Sequence, residues 1–361
     1  REHIEEMVAQ GVDASRLVKR FTGGSTGIPL MVYHDAAAGM AQWALSLRIT
    51  GRWGVRLGDK AAHIWGLNRL NEDYLFTSQS WKSRFIKNYV LLDAFDMSEE
   101  KMNAFRTLLR RFSPALIVAY TSAMTSFARY LEASGGAGFR PRAIWLTAEP
   151  THDFQRDVIE RVFQAPVFDQ YGSVEVNQHA SECPHREGLH IDADFRTVEV
   201  VDEKGQPEPA GEEGQVVVTD LVNFAAPLIR YRNEDIGSLQ DRRCSCGIGL
   251  PLMNKVTGRI YDMFVLPDGT QMYGHRFTTF FYDHVDKVSA FQVHQTARDH
   301  VVVRLVPTEA CDRQALAAQA LEKFREYTRG QVSFDIQYVD SIAKESSGKY
   351  RFAKSDVHRH A

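Results

Sequence analysis

The chain reads as an α/β protein: a large multi-layered α/β body with a β-rich subdomain, followed by a small α+β C-terminal domain. Three observations carry this reading. Over the first two thirds, short apolar β-branched runs alternate with helix-period segments, the pattern of α/β layering. From Gly188 the pattern changes to alternating strands joined by turn chemistry. Past Gly258 the chain restarts as strand, strand, helix, strand. The boundary falls at Thr257-Gly258-Arg259, giving a body of residues 1–257 and a C-terminal domain of residues 258–361.

Each element follows from its local sequence. Ala115-Leu116-Ile117-Val118-Ala119-Tyr120 is a continuous apolar run that predicts a buried strand; Ser122 to Leu131 predicts a helix, and Ala143-Ile144-Trp145-Leu146 a second strand. A further helix carries Val158, Ile159 and Val162 on one face, and a short strand follows at Pro166-Val167-Phe168. Two consecutive crossovers predict a partly parallel sheet. Thr197-Val198-Glu199-Val200-Val201 and Gln215-Val216-Val217-Val218 are strands on either side of the turn Asp202-Glu203-Lys204-Gly205. In the C-terminal domain, strands are predicted from Ser289 to His294, His300 to Val306 and Val332 to Val339, with a helix from Asp312 to Tyr327.

Composition narrows the function classes. With 44% hydrophobic and 25% charged residues, the 361-residue chain is neither disordered nor fibrous, and its length favours two domains. The formal charge of −3 gives no global attraction to nucleic acid or anionic membrane, and the short basic stretch Lys82 to Lys87, with Arg84, reads as a solvated face. Four cysteines are too few for a disulfide framework, and a reducing, cytoplasmic setting is expected. No apolar run approaches the roughly 20 residues a membrane span needs. The chain opens without Met, inside what reads as an amphipathic helix, so a native N-terminal segment is expected to precede it.

Several segments carry chemistry. Thr22-Gly23-Gly24-Ser25-Thr26-Gly27 can wrap an anion with backbone N–H and hydroxyl donors; no Gly-Lys-Ser/Thr follows, so it is not a Walker A loop. Tyr171-Gly172-Ser173-Val174-Glu175 sets a ring, a flexible glycine and then a carboxylate able to reach a Mg²⁺ ion bridging phosphates. Cys244-Ser245-Cys246 and the segment Cys183 to His190 offer a tetrahedral zinc set of Cys183, His190, Cys244 and Cys246, with His185 or His179 as replacements for His190. Cys311 stands apart as a packing residue.

Taken in order, these motifs resemble the adenylate-forming superfamily of acyl-CoA synthetases, in its phenylacetate-CoA ligase-like group. The similarity is greatest to the capsular-polysaccharide-type branch, through Ile64-Trp65-Gly66 and Leu92-Asp93-Ala94-Phe95-Asp96. The resemblance runs from Thr22 to about Arg351 and implies an adenylating body with a mobile C-terminal domain. It makes residues 22–27 the ATP phosphate loop, with Pro29 where a lysine often stands, and Ala148-Glu149-Pro150 the turn bordering adenine. Ala148 replaces a glycine there, which requires an ordinary negative φ. Tyr231-Arg232-Asn233-Glu234-Asp235 resembles a Tyr-Arg-Thr-Gly-Asp segment whose Asp accepts from both ribose hydroxyls, Asn-Glu replacing Thr-Gly. Arg259 is implied at ribose or phosphate, Asp262 as the hinge, and Lys349 as the catalytic cation, although Arg351 sits one place earlier than the family's arginine. Zinc is also known from similar segments of the group.

The resemblance implies an AMP-forming acid–thiol ligase. Mg·ATP and a small carboxylic acid, aryl or other, give an acyl-adenylate, and coenzyme A then takes the acyl group. Trp65, Tyr120 and Trp145 are candidates for the acid pocket, with core packing as the equal alternative. Transfer to an amine or carrier protein, AMP transfer, and a non-catalytic member of the fold stay open, as does a homodimer. No nucleic-acid partner is expected.

Overall fold

The computed structural model describes residues 4–21, 30–66, 88–94, 96–259, 263–282, 284, 286–343 and 351–357. The phosphate loop 22–27, the basic stretch 82–87, the hinge Asp262 and the catalytic candidate Lys349 lie outside the described residues. The described chain divides into two compact units. One holds the residues up to 256 apart from 234–236; the other holds 234–236 and the residues from 257 onward up to 343, with 351–357.

In the first unit, the expected N-terminal helix is replaced by turns over residues 4–8, and the first helical element is a 3₁₀ turn at Ala14–Arg16. Gly11, at φ +82°, and Asp13, which accepts from Ser15 N at 3.0 Å, stop any helix there. β1 (Val18–Phe21) and β2 (Met31–His34) pair antiparallel. α1 (Ala36–Arg52) follows, its N-terminus capped by the Asp35 carboxylate, which accepts from Ala38 N at 2.6 Å.

Next come β3 (Ala61–Trp65), β4 (Tyr89–Asp93), α2 (Glu99–Phe112), β5 (Leu116–Tyr120), α3 (Thr121–Ala133), β6 (Ala143–Thr147), α4 (Asp153–Phe163) and β7 (Val167–Ser173). Strands β4-β3-β5-β6-β7 are parallel neighbours, as two crossovers require. Strand alternation decides which helix covers which face. Ile117, Ala119, Ile144 and Leu146 pack with Phe105, Leu109, Phe127, Leu131, Ile159 and Phe163 of α2, α3 and α4. The intervening Leu116, Val118, Ala143 and Trp145 pack with Leu45 and Ile49 of α1 and with Trp53. A sheet covered on both sides has continuous apolar strands, which is why β5 and β6 are buried throughout.

The chain continues through β8 (Asn177–Glu182), β9 (Leu189–Ile191), β10 (Arg196–Val201), β11 (Gly214–Asp220), β12 (Tyr231–Gly237), β13 (Leu239–Gln240) and β14 (Leu252–Met253). The β-rich segment is thus partly an extension of the main sheet: β8, β9, β14 and β13 add to it antiparallel beyond β7, making nine strands among the described residues. The β10–β11 hairpin lies outside that sheet, and Val198, Val216 and Val218 pack on Ala180, Leu189 and Ile191.

In the second unit, β15 (Gly258–Arg259) pairs antiparallel with β12, Asp235 lying opposite Arg259. The hairpin β16 (Met263–Val265) and β17 (Gln271–Tyr273) and the helix α5 (His275–Tyr282) precede the elements that the sequence predicts. These are β18 (Val288–Ala297), β19 (His300–Pro307), α6 (Arg313–Tyr327) and β20 (Ser333–Tyr338), with β21 (Ala353–Ser355) closing a sheet of order β20-β19-β18-β21. Its core is aromatic: Phe277, Phe281, Phe291 and Phe324 are buried together. Among the described residues no helix is long and apolar enough to cross a membrane.

Candidate active site and metal centre

Because β6 and β7 are parallel neighbours, the turns that leave them emerge at the same edge of the sheet, the carboxyl edge where α/β folds place ligands. The first turn, Ala148-Glu149-Pro150, is fastened to the start of α3. The Glu149 carboxylate accepts from Ser122 N at 2.6 Å and from Ser122 Oγ at 3.0 Å, and Thr121 Oγ1 donates to the Glu149 carbonyl at 3.3 Å. Tyr120, at the N-cap position, supplies no side-chain cap, so Glu149 satisfies the helix's free N–H groups from outside. Ala148 does not meet the condition set by the sequence: its φ is +71°, the left-handed region where a Cβ crowds the following carbonyl. Its tie to the half-buried Glu149 and its packing on the α2–α4 side of the core hold it there.

At the end of β7, leading into the second turn, Gly172 sits at a register shift in the β7–β8 ladder. A Cβ there would lie 2.5 Å from the Asn177 carbonyl oxygen and 2.7 Å from Gln170 Nε2, so close approach of the backbone, not a positive φ, requires glycine. Ser173 Oγ accepts from Val176 N at 3.3 Å and closes the turn. Tyr171 lies edge-on to His179, 4.9 Å between ring centroids, and its hydroxyl accepts from Asn233 Nδ2. Glu175 Oε1 accepts from the Tyr231 hydroxyl at 2.9 Å. Alternate residues of β12, Tyr231 and Asn233, thereby join its motif to that of Tyr171–Glu175. Two residues further along the strand, Asp235 is buried opposite Arg259.

Of the three aromatic pocket candidates, Trp65 and Tyr120 pack ring to ring at 4.5 Å, and Trp65 also packs against the cluster that holds Trp145. Trp145 itself lies edge-on to Trp53 at 5.5 Å, which is core packing.

The Cys183, His190, Cys244 and Cys246 side chains do converge, with all four ligand atoms within 4.8 Å of one another. Cys183 Sγ and Cys244 Sγ are 3.6 Å apart, and Cys246 Sγ and His190 Nε2 3.3 Å. Tetrahedral zinc, with bonds of about 2.3 Å to sulfur and about 2.0 Å to nitrogen, separates sulfurs by about 3.8 Å and sulfur from nitrogen by about 3.5 Å, so the set fits. Burial pushes the Cys244 thiol up to about 12, the neighbouring thiols adding to the effect, while burial and Arg52 lower the His190 imidazole and keep it neutral. Such a group gains most from a cation that stabilises its thiolates. Glu187 ties the two loops together, accepting from Ser245 N at 3.1 Å and from Arg242 at 3.0 Å. Neither replacement ligand belongs to the cluster: His185 Nδ1 meets Ser245 Oγ at 2.7 Å, and the wholly buried His179, pushed down to about 3 by burial, lies edge-on to Tyr171.

Two residues absent from the sequence reading reach the same carboxylate segment. His34 Nε2 lies 2.9 Å from the Glu175 carbonyl oxygen, and Arg196 Nε donates to the Val176 carbonyl at 2.7 Å. Neither carries a motif; an arginine in a strand reads as exposed, yet Arg196 is 0% accessible.

The chain is similar to several known proteins. The family described as the CapK C-terminal domain matches residues 264–356. Protein CapK of Staphylococcus aureus is 23% identical over 367 residues, covering 99% of this chain and 78% of that protein. Phenylacetate-coenzyme A ligase of Thermus thermophilus is 34% identical over 125 residues, and that of Pseudomonas putida 31% identical over 167. These two alignments cover 34% and 44% of this chain but only 28% and 37% of the ligases. Among solved structures, 2-hydroxyisobutyryl-CoA ligase in the postadenylation state with 2-HIB-AMP superposes with a TM-score of 0.72 at 21% identity, over 96% of this chain and 75% of that one. The anthranilate CoA ligase AuaEII with anthranoyl-AMP gives 0.64 at 15% identity, over 94% and 67%.

Proposed function

The chain belongs to the adenylate-forming superfamily, in its phenylacetate-CoA ligase-like branch, and we propose that it activates a small carboxylic acid with ATP and passes the acyl group to coenzyme A. The observation that carries this is the shared sheet edge from which the 148–150 and 171–175 turns emerge, with Tyr231 bonded to Glu175. In this reading the backbone of Ala148-Glu149-Pro150 and the Tyr171 ring border the adenine. Asp235 accepts from the ribose hydroxyls, Arg259 adds a cation beside ribose or phosphate, and residues 22–27 wrap the phosphates. Lys349 neutralises the α-phosphate as the substrate carboxylate approaches. Asp262 serves as the hinge of a C-terminal domain of residues 258–361.

Glu175 fits a magnesium role: it is a hard oxygen donor, and Mg²⁺ takes one or two carboxylates together with substrate phosphates. Bound there, the ion would neutralise charge on the phosphates. Zinc held by Cys183, His190, Cys244 and Cys246 would be structural, since four protein ligands leave no open position.

The alternative to CoA is transfer to an amine or a carrier protein, because Protein CapK, to which similarity runs the length of this chain, is not named for CoA. A pyrophosphate-release screen over small aryl and alkyl acids, with and without CoA, separates them. CoA-dependent AMP release supports the ligase; acid-dependent pyrophosphate release that CoA leaves unchanged supports the alternative; no release with any acid contradicts both.

A further inference from the structure

Three consecutive residues at the end of the carboxylate turn are each held by a side chain from a distant part of the chain. His34 takes the Glu175 carbonyl, Arg196 the Val176 carbonyl, and Arg20 donates to Asn177 Oδ1. His34 and Arg196 are 1% and 0% accessible. Arg196 is fixed in turn by Asp220 Oδ1 at 2.9 Å, the Phe195 carbonyl at 2.6 Å and Gln42 Oε1 at 3.2 Å. Asp220 Oδ1 also accepts from Val222 N at 3.0 Å. Burial, reinforced by the charge of Arg20, keeps the His34 imidazole neutral, so the ring donates to the carbonyl through Nε2–H.

An ion pair taken wholly out of water is weak support for stability, since apolar residues of similar volume often serve as well. What this one supplies is direction. Two adjacent carbonyls locked onto two fixed donors set the Glu175–Val176 and Val176–Asn177 peptides, and Tyr231 fixes one carboxylate oxygen. We propose that Arg196 and His34 are positioning residues that aim the Glu175 carboxylate at the metal of Mg·ATP. The proposal rests on the assignment of Glu175 made above. Outer partners of a metal carboxylate commonly change metal affinity by about 10–100-fold when removed.

The test is calorimetric titration of the whole protein with ATP, in Mg²⁺ and in EDTA, which needs no acid substrate. Wild type is expected to bind more tightly with Mg²⁺, and Glu175→Gln to lose most of that gain. Arg196→Lys, which keeps a cation beside Asp220 but loses the guanidinium fork, should reduce the gain by about tenfold with affinity in EDTA unchanged. On a Glu175→Gln background it should add less than about twofold, because both act through one carboxylate. His34→Met should behave like Arg196→Lys, and His34→Gln, which restores a donor, should recover most of the gain. Undiminished gain in Arg196→Lys and His34→Met, or losses that add fully to Glu175→Gln, would overturn the positioning role while leaving Glu175 its own. A wild type without any Mg²⁺-dependent gain would remove the Glu175 assignment, and this proposal with it. Should Arg196→Lys not melt cooperatively, the His34 pair decides alone.

Discussion

Glu149 is the residue whose structural setting departs most from its sequence motif, and removing it separates two accounts. Its carboxylate accepts two hydrogen bonds from Ser122, at 2.6 and 3.0 Å, at the start of α3. Losing a cap costs about 1 kcal/mol, within 0.5–2. Losing a negative charge at a helix N-terminus costs a further 0.3–1 kcal/mol or so, in the lower part of that range for a half-exposed group. Glu149→Ala should therefore destabilise the protein by about 1.3–1.6 kcal/mol, and Glu149→Gln, which keeps an acceptor, by about half as much. For a unit of this size that is a drop of roughly 3–6 °C in Tm. Urea unfolding at neutral pH measures it directly. A double-mutant cycle with Ser122→Ala should return a coupling of about 0.5–1 kcal/mol, the two residues being direct partners. An unchanged melt in Glu149→Ala, with ATP affinity lost, would refute the capping argument and return the carboxylate to the nucleotide.

Further outcomes follow from other sites. Purified protein should carry about one equivalent of zinc, held less tightly as pH falls because the Cys244 thiol, high when metal-free, must ionise to bind; a colorimetric metal assay across pH reads this, and well under one equivalent with all thiols titratable would exclude the site. Gly172→Ala should cost about 1–3 kcal/mol by urea unfolding, since its methyl would meet the Asn177 carbonyl at 2.5 Å; an unaffected midpoint would show that the β7–β8 bulge relaxes freely. Burial, with Glu182 adding to it against Lys255 and Arg156, raises the Asp169 carboxyl from 3.8 to about 7. Its contribution to stability thus falls as pH rises from about 4 to about 7, because only the unfolded chain releases the proton there. Asp169→Asn should be near neutral at pH 4 and stabilising by up to about 4 kcal/mol at pH 8; no pH dependence in that difference would contradict the shift.

What the sequence made legible follows from where its signals are strong. The continuous apolar runs of β5 and β6 marked strands buried on both faces, and the Cys-x-Cys pair with Cys183 and His190 marked a cluster that the fold brings together. The β16–β17 hairpin and α5 went unread because three-residue strands and an eight-residue helix are too short to show a period. Ala148 carried no sign of its +71° φ, a conformation imposed by neighbours rather than by its own preference. Trp145 and Tyr120 looked alike as pocket residues; only their tertiary partners separate them, Trp145 packing on Trp53 and Tyr120, at the end of β5, on Trp65. Arg196 and His34 were invisible for a related reason: their partners are the Val176 and Glu175 carbonyls, 20 and 141 residues away, and no local pattern encodes a distant backbone acceptor.

The central claim is that the chain adenylates a carboxylic acid, with Lys349 as the cation at the α-phosphate. ATP–pyrophosphate exchange with an acid drawn from the release screen, run on wild type and Lys349→Ala of equal thermal stability, tests it most directly. Exchange is expected to require both acid and Mg²⁺ and to fall by at least about a hundredfold in the variant, the size expected for losing a charge that acts on the transition state. Acid-independent exchange, or equal exchange in the two proteins, would contradict it.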